Sequence, residues 1–156
     1  MISYKGSASV NNNYNHLKRI NCLANELDLL YHQAARKLGV SDSVLCILYM
    51  IHEKGDGCLL RDICSESSIS KQTINSALRN LEKEEILYLE QNNGKNKRIR
   101  LTEKGKRYTA HTAVRLFEAE ASALADWSEE DLSAYLYLMK KYNDCFRLQV
   151  ENMDKQ

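Results

Sequence analysis

Residues 59–105 decide the fold, and they read LLRDICSESSISKQTINSALRNLEKEEILYLEQNNGKNKRIRLTEKG. The first part, residues 59–67, places Leu60, Ile63 and Cys64 on one face of a short helix. Ser70 can cap a second helix, because a serine hydroxyl accepts hydrogen bonds from N–H groups of the first turn. LYLEQ and KRIRL then flank Asn93-Gly94, a pair typical of a tight hairpin turn. The order predicts a helix-turn-helix followed by a hairpin wing.

The second helix has two contrasting faces. Ile74, Leu78 and Leu81 cluster on a wheel of 100° per residue, with Ala77 at their edge. The opposite face carries amides, a hydroxyl and cations: Gln72, Asn75, Ser76, Arg79 and Lys83. Amides can bond adenine and arginine can bond guanine in the major groove. This face therefore predicts a helix that reads base edges.

The hairpin concentrates positive charge in a chain whose formal net charge is only +1. From Gly94 to Arg107, seven basic residues less one acidic residue give +6. The alternation along the strand puts Arg98 and Arg100 on one face and Ile99 and Leu101 on the other. The apolar face should therefore pack against the core while the other face presents cations. Such a wing suits contact with phosphates. A basic hairpin on its own is equally well a solvated surface, and lysines on strand edges also prevent aggregation.

Helices are also predicted before and after this segment. Apolar residues recur every three or four positions from Leu17 to Leu38, which indicates an amphipathic helix. Ser41 can cap the next helix, and Thr102 can cap one long helix that runs on towards Trp127. Ser128 and Asp131 then form a capping box that opens a last helix with a long apolar stripe.

Taken together, these residues resemble the MarR family of bacterial transcriptional regulators. Leu101, Thr102 and Gly105 match the Leu-Thr-x-x-Gly run that ends the family's wing, and Leu81 and Glu82 match its Leu-Glu pair. The resemblance covers nearly the whole chain. It implies a mostly α fold with a small β-hairpin wing: a winged helix-turn-helix with flanking dimerisation helices.

The resemblance also implies which residues contact DNA. The recognition-helix role falls on Gln72, Thr73, Asn75, Ser76 and Arg79. The wing role falls on Lys95, Lys97 and Arg98. Thus the implied site combines base-reading side chains with phosphate-binding cations.

This chain departs from the family pattern at two places. Asn93 and Lys95 stand where members usually carry Asp-x-Arg at the wing tip. Lysine cannot make the forked contact of arginine, so we expect weaker reading of the minor groove. Glu85 stands where a glycine commonly ends the recognition helix, so we expect a different exit geometry into the wing.

The domain division follows from the same resemblance. We expect a flexible N-terminal lead-in over residues 1–13, helical dimerisation regions over 14–38 and 103–156, and a DNA-binding lobe over 41–102. The expected partners are double-stranded DNA with an inverted repeat, a second copy of the chain, and a small-molecule effector that releases a repressor. Tyr31, Tyr49 and Tyr108 lie within reach of such an effector pocket, although tyrosine on a helix stripe is more often core.

Other classes of protein find less support. No stretch is apolar enough to span a bilayer and the first residues are too polar for a signal peptide, so we expect a cytoplasmic protein without a membrane partner. Enzyme motifs, metal-ligand spacing and cofactor motifs are missing, so we expect neither an enzyme nor a bound metal or cofactor. The five cysteines contain no Cys-x-x-Cys pair and read as small core residues.

Two alternatives remain open from the sequence. A winged-helix module could have lost DNA binding and use its basic hairpin to dock an acidic protein, since fold does not determine function. A thiol-based regulator is the other alternative, with Cys22 as its candidate sensor.

Overall fold

The structure, a computed structural model, describes residues 8–67, 69–91 and 97–153. Its elements in chain order are α1 (Ala8–Leu38), α2 (Asp42–Lys54), α3 (Leu60–Glu66), α4 (Lys71–Lys83), β1 (Leu87–Gln91), β2 (Lys97–Leu101), α5 (Glu103–His111), α6 (Ala113–Ala123) and α7 (Glu129–Glu151). The predicted fold class, mostly α with a small β-hairpin wing, is confirmed.

The chain folds into two compact units, Met1–Phe117 and Glu118–Gln156. The first unit contains α1 to α5, the hairpin and the start of α6, and the second contains the rest of α6 and α7. None of the described helices is long and apolar enough to cross a membrane.

The core of the first unit lies where α2 and α4 pack together and against the hairpin. Its fully buried large side chains are Ile47, Leu48, Ile51, Ile63, Ile74, Leu81, Ile86, Leu87 and Ile99. The predicted inward face of α4 is confirmed, with Ile74, Leu78 and Leu81 at most 2% exposed. Burial of these side chains leaves the opposite face of α4 on the surface.

Side-chain caps start four helices where the sequence predicts them: α2, α5, α7 and, at Ser70, α4. Ser41 accepts from the Val44 N–H at 3.3 Å and Ser128 accepts from the Asp131 N–H at 3.1 Å. Thr102 accepts from the Gly105 N–H at 2.9 Å. Because each cap satisfies an N–H group that the helix cannot pair internally, it sets the first residue of the helix.

Two helix boundaries differ from the sequence prediction. α1 begins at Ala8, inside the segment 1–13 that was expected to be a flexible lead-in. The single helix expected from Thr102 towards Trp127 is wrong, because the chain breaks at Thr112 into α5 and α6. The buried Thr112 hydroxyl donates to the Tyr108 carbonyl at 2.8 Å, and such back-bonding competes with the helical pattern and bends helices.

The hairpin pairs β1 and β2 in antiparallel register, with Leu87 opposite Leu101 and Leu89 opposite Ile99. A third stretch joins its edge: the Gly57 N–H donates to the Ile99 carbonyl at 2.8 Å, and the Ile99 N–H donates to the Cys58 carbonyl at 2.9 Å. The base of the wing is thereby tied to the loop between α2 and α3.

Candidate nucleic-acid interface

The predicted recognition helix, α4, starts at a hydroxyl cap. The Ser70 hydroxyl accepts from the Thr73 N–H at 3.1 Å, and the two hydroxyls lie 2.9 Å apart. Thr73 is exposed as the sequence predicts, but its side chain is engaged in the cap. The Thr73 hydroxyl can therefore contact a ligand only if it keeps its bond to the Ser70 hydroxyl at the same time or breaks that bond first.

The outward face of α4 holds the other predicted recognition residues together. Gln72, Ser76 and Arg79 are exposed and Asn75 is half-buried. Within the described ranges, none of these four side chains makes a hydrogen bond or an ion pair. Because no internal partner has to be displaced, their polar groups are available to a ligand lying along the helix.

The end of α4 adopts the geometry that a glycine would give. Glu85 has φ 57°, and the Ile86 N–H donates to the Leu81 carbonyl at 2.9 Å. This is the left-handed helix ending in which the chain closes a bond across the last turn. The expected difference in exit geometry is therefore wrong: Glu85 accepts the conformation, although left-handed backbone costs an L-residue roughly 1–2 kcal/mol.

The Leu-Thr-x-x-Gly run locks the wing to this helix end. The Thr102 hydroxyl donates to the Glu85 carbonyl at 2.6 Å and accepts from the Gly105 N–H. Gly105 is buried so closely against the Ile86 carbonyl that a Cβ atom there would overlap it. The motif is thus a structural joint between the recognition helix and the wing.

The wing presents fewer free cations than the sequence predicts. Lys97 is exposed, whereas Arg98 is half-buried and donates to the Gly57 carbonyl at 2.9 Å. Lys95 and the Asn93-Gly94 turn lie outside the described residues. Of the predicted wing residues that the structure describes, Lys97 is therefore more accessible to a ligand than Arg98.

Arg100 is also engaged within the fold. Its Nε lies 2.9 Å from the Glu90 carboxylate and its Nη1 lies 4.0 Å from that of Asp56. Hydrogen bonding to Glu90 is the main cause that raises the pKa of the Arg100 guanidinium. Both arginines of the wing face that the sequence predicts to present cations are thus engaged within the fold, Arg98 by a backbone carbonyl and Arg100 by a carbonyl and carboxylates.

Asp56 is a structural residue that sequence reasoning missed. Its carboxylate accepts from the Leu101 N–H at 2.9 Å, and its carbonyl accepts from Arg100 at 3.3 Å. These contacts hold β2 against the loop after α2. The Gly-Asp-Gly turn at residues 55–57 is the only local signal, and it does not reveal a partner more than 40 residues away.

A cavity of about 540 Å³ lies in the first unit, between α1, α2, the start of α6 and the segment before α4. Its apolar and aromatic walls are Tyr31, Leu45, Tyr49, Met50, Ile69 and Leu116. Its polar lining consists of Asp28, His32, Asp42 and Cys46. Tyr31 and Tyr49 thus line the cavity, whereas Tyr108 does not.

Three of the five cysteines, Cys46, Cys58 and Cys64, are partly shielded from solvent, and the other two are exposed. Burial raises the pKa of the Cys46 and Cys58 thiols, which lowers the fraction of reactive thiolate. Cys22, the candidate redox sensor, is exposed on α1. Within the described residues no group of three or more His, Cys, Asp and Glu side chains is placed to hold a metal ion.

Part of the chain matches one protein-family model. Residues 38–99 match the model of the MarR family. No curated protein sequence matches the chain significantly.

Solved structures resemble the chain over most of its length. A MarR family transcriptional regulator from Listeria monocytogenes, in complex with a 26-mer DNA, is 25% identical with a TM-score of 0.66, and the match covers 90% of this chain and 94% of that one. MepR from S. aureus, also with DNA, is 21% identical with a TM-score of 0.62, covering 85% and 97%. A regulator from Neisseria meningitidis shares the fold at a TM-score of 0.78 and 14% identity, covering 88% and 97%.

Proposed function

We propose that this chain, whose residues 38–99 match the model of the MarR family, is a transcriptional regulator that acts as a cytoplasmic homodimer, binds an inverted-repeat operator and represses transcription. The α4 helix reads base edges in the major groove, and the wing contacts the backbone nearby. A small molecule bound in the cavity releases the operator.

The outward face of α4 is the observation that carries the proposal. It combines two amides, a hydroxyl and an arginine, and the apolar residues behind it fix its orientation. Arg79 suits a bidentate contact with guanine, and Gln72 suits one with adenine. Lys97 adds a sequence-independent phosphate contact.

Exposed apolar side chains support the homodimer. On α1 they include Tyr14, Leu17, Ile20, Leu23, Leu27 and Leu30. On α7 they include Tyr135, Leu136, Met139, Tyr142, Phe146 and Val150. Contiguous apolar faces of this length are unusual on a monomer, and a two-fold dimer would cover both. We accordingly assign residues 14–38 and 103–156 to dimerisation and 41–102 to DNA binding.

Effector release would work through a shift of population. The cavity lies between α1, in the proposed dimerisation region, and α2 with Ile69, in the DNA-binding lobe. Suppose that a ligand binds more tightly to the dimer whose recognition helices are too far apart or too close for the operator. It then lowers operator affinity by the ratio of its affinities for that state and for the DNA-binding state.

An in vitro selection of randomised duplexes at near-physiological salt tests the proposal. The wild-type chain should enrich a near-palindrome with half-sites about one duplex turn apart. Arg79→Ala should blur one position of each half-site, at a cost of about 1–3 kcal/mol. Arg115→Ala on α6 removes the same charge away from α4 and should leave the enriched sequence unchanged.

Failure to enrich any sequence would refute the proposal, provided that the protein is folded and dimeric and that inducing ligands have been removed. Weak binding that is indifferent to sequence would instead favour the interaction module. Equal effects of Arg79→Ala and Arg115→Ala would show that α4 contributes charge without reading bases.

A further inference from the structure

We propose that the cavity selects an amphipathic cation, an aromatic or apolar body that carries a positive charge. This inference rests on the proposed function only in treating the cavity as the effector site. The charge preference itself follows from the residues that line it.

The walls of the cavity suit an apolar body. Leu45 and Met50 are buried in the core, and Ile69 and Leu116 pack against that core. Tyr31 and Tyr49 add aromatic rings, and the Tyr49 ring lies 6.0 Å from that of Phe117. Cavities of several hundred Å³ with such walls take small molecules, and aromatic faces attract cations.

The charged groups of the lining are acidic. Asp28 and Asp42 supply two carboxylates, and no lysine or arginine among the residues that the structure places lines the cavity. His32 Nδ1 lies 2.8 Å from the Asp42 carboxylate, so Asp42 already has a partner. Asp28 makes no hydrogen bond or ion pair with any described residue. The cavity therefore offers one uncompensated carboxylate, which attracts a cation and repels an anion.

The exposure of Asp28 limits the size of the effect. Unit charges about 4 Å apart interact weakly in a medium close to water and about four times more strongly near a protein surface. Because Asp28 is exposed, we take the lower end of this range. The loss of its charge should weaken cation binding about fivefold.

Isothermal titration calorimetry with two ions of nearly the same size and shape tests the preference. Tetraphenylphosphonium should bind the full chain more tightly than tetraphenylborate. Asp28→Asn should weaken phosphonium binding about fivefold, and Asp28→Lys should reverse the order of the two ions. Glu26→Gln removes the same charge from α1 at a position outside the cavity, and it should change neither affinity.

Three results would overturn the inference: tighter binding of the borate by the wild-type chain, equal binding of both ions, or equal losses in Asp28→Asn and Glu26→Gln. The last would show that the overall charge of α1 attracts the cation. Operator binding is measured separately on the same proteins. Loss of operator binding with the ion preference intact would refute the proposed function alone, and intact operator binding without the preference would refute this inference alone.

Discussion

Gly105→Ala tests the joint between the recognition helix and the wing. In an ordinary helix this change would stabilise the protein by about 0.8–1.0 kcal/mol, because alanine has the higher helix propensity. Here the new methyl group overlaps the Ile86 carbonyl, which is backbone and cannot rotate away. We therefore expect the opposite sign.

The structure sets the size of the loss. The Ile86 carbonyl accepts from the Thr102 N–H at 3.1 Å, whereas the proton of the Thr102 hydroxyl is donated mainly to the closer Glu85 carbonyl. Moving the Ile86 carbonyl weakens the bond from the Thr102 N–H, at about 1 kcal/mol, and overpacking adds about 1–3 kcal/mol. After the gain in helix propensity, the free energy of unfolding should fall by about 1–3 kcal/mol.

Urea denaturation followed by circular dichroism measures this change, at one protein concentration because dimerisation contributes to stability. Ala110→Gly, at an exposed position of α5, measures the intrinsic difference between the two residues and should cost about 1 kcal/mol. A Gly105→Ala chain at least as stable as wild type would refute the close packing of α5 against the end of α4.

Three further predictions follow from the described contacts. Glu85→Gly should raise the free energy of unfolding by about 0.5–1 kcal/mol, since it relieves the left-handed backbone, whereas Glu84→Gly, at φ −82°, should lower it by a similar amount. If urea denaturation shows that both substitutions change the free energy of unfolding in the same direction, the left-handed conformation of Glu85 is refuted. Lys97→Ala should reduce by about one the slope of log operator affinity against log salt, and an unchanged slope would exclude a phosphate contact. At pH 8, Cys46 and Cys58 should react with iodoacetamide several-fold more slowly in the folded chain than in urea, because burial raises their pKa. Equal rates by peptide mass spectrometry would contradict their burial.

The amino-acid sequence by itself determined the elements whose signals are local. Ser41, Ser70, Thr102 and Ser128 each cap a helix through an N–H group three residues away, so a short window reveals them. The 3.6-residue period identified the buried face of α4, and the alternation in KRIRL identified the hairpin strand. The Leu-Thr-x-x-Gly match located the joint, although its physical cause, the approach of Gly105 to Ile86, spans 19 residues.

Tertiary structure alone decided which polar groups remain available. Arg98 and Arg100 look like free cations in the sequence, but Gly57, Asp56 and Glu90 hold them at distances that no local pattern encodes. The helix break at Thr112 likewise depends on the buried Thr112 hydroxyl and its bond to the Tyr108 carbonyl, whereas the sequence pattern there predicts one continuous helix. The cavity arises only where separate helices meet, and so does the placement in it of Asp28, which pairs with none of the residues that the structure describes. Hydrogen bonds within one turn depend on neighbouring residues, whereas ion pairs and cavities depend on how distant segments pack.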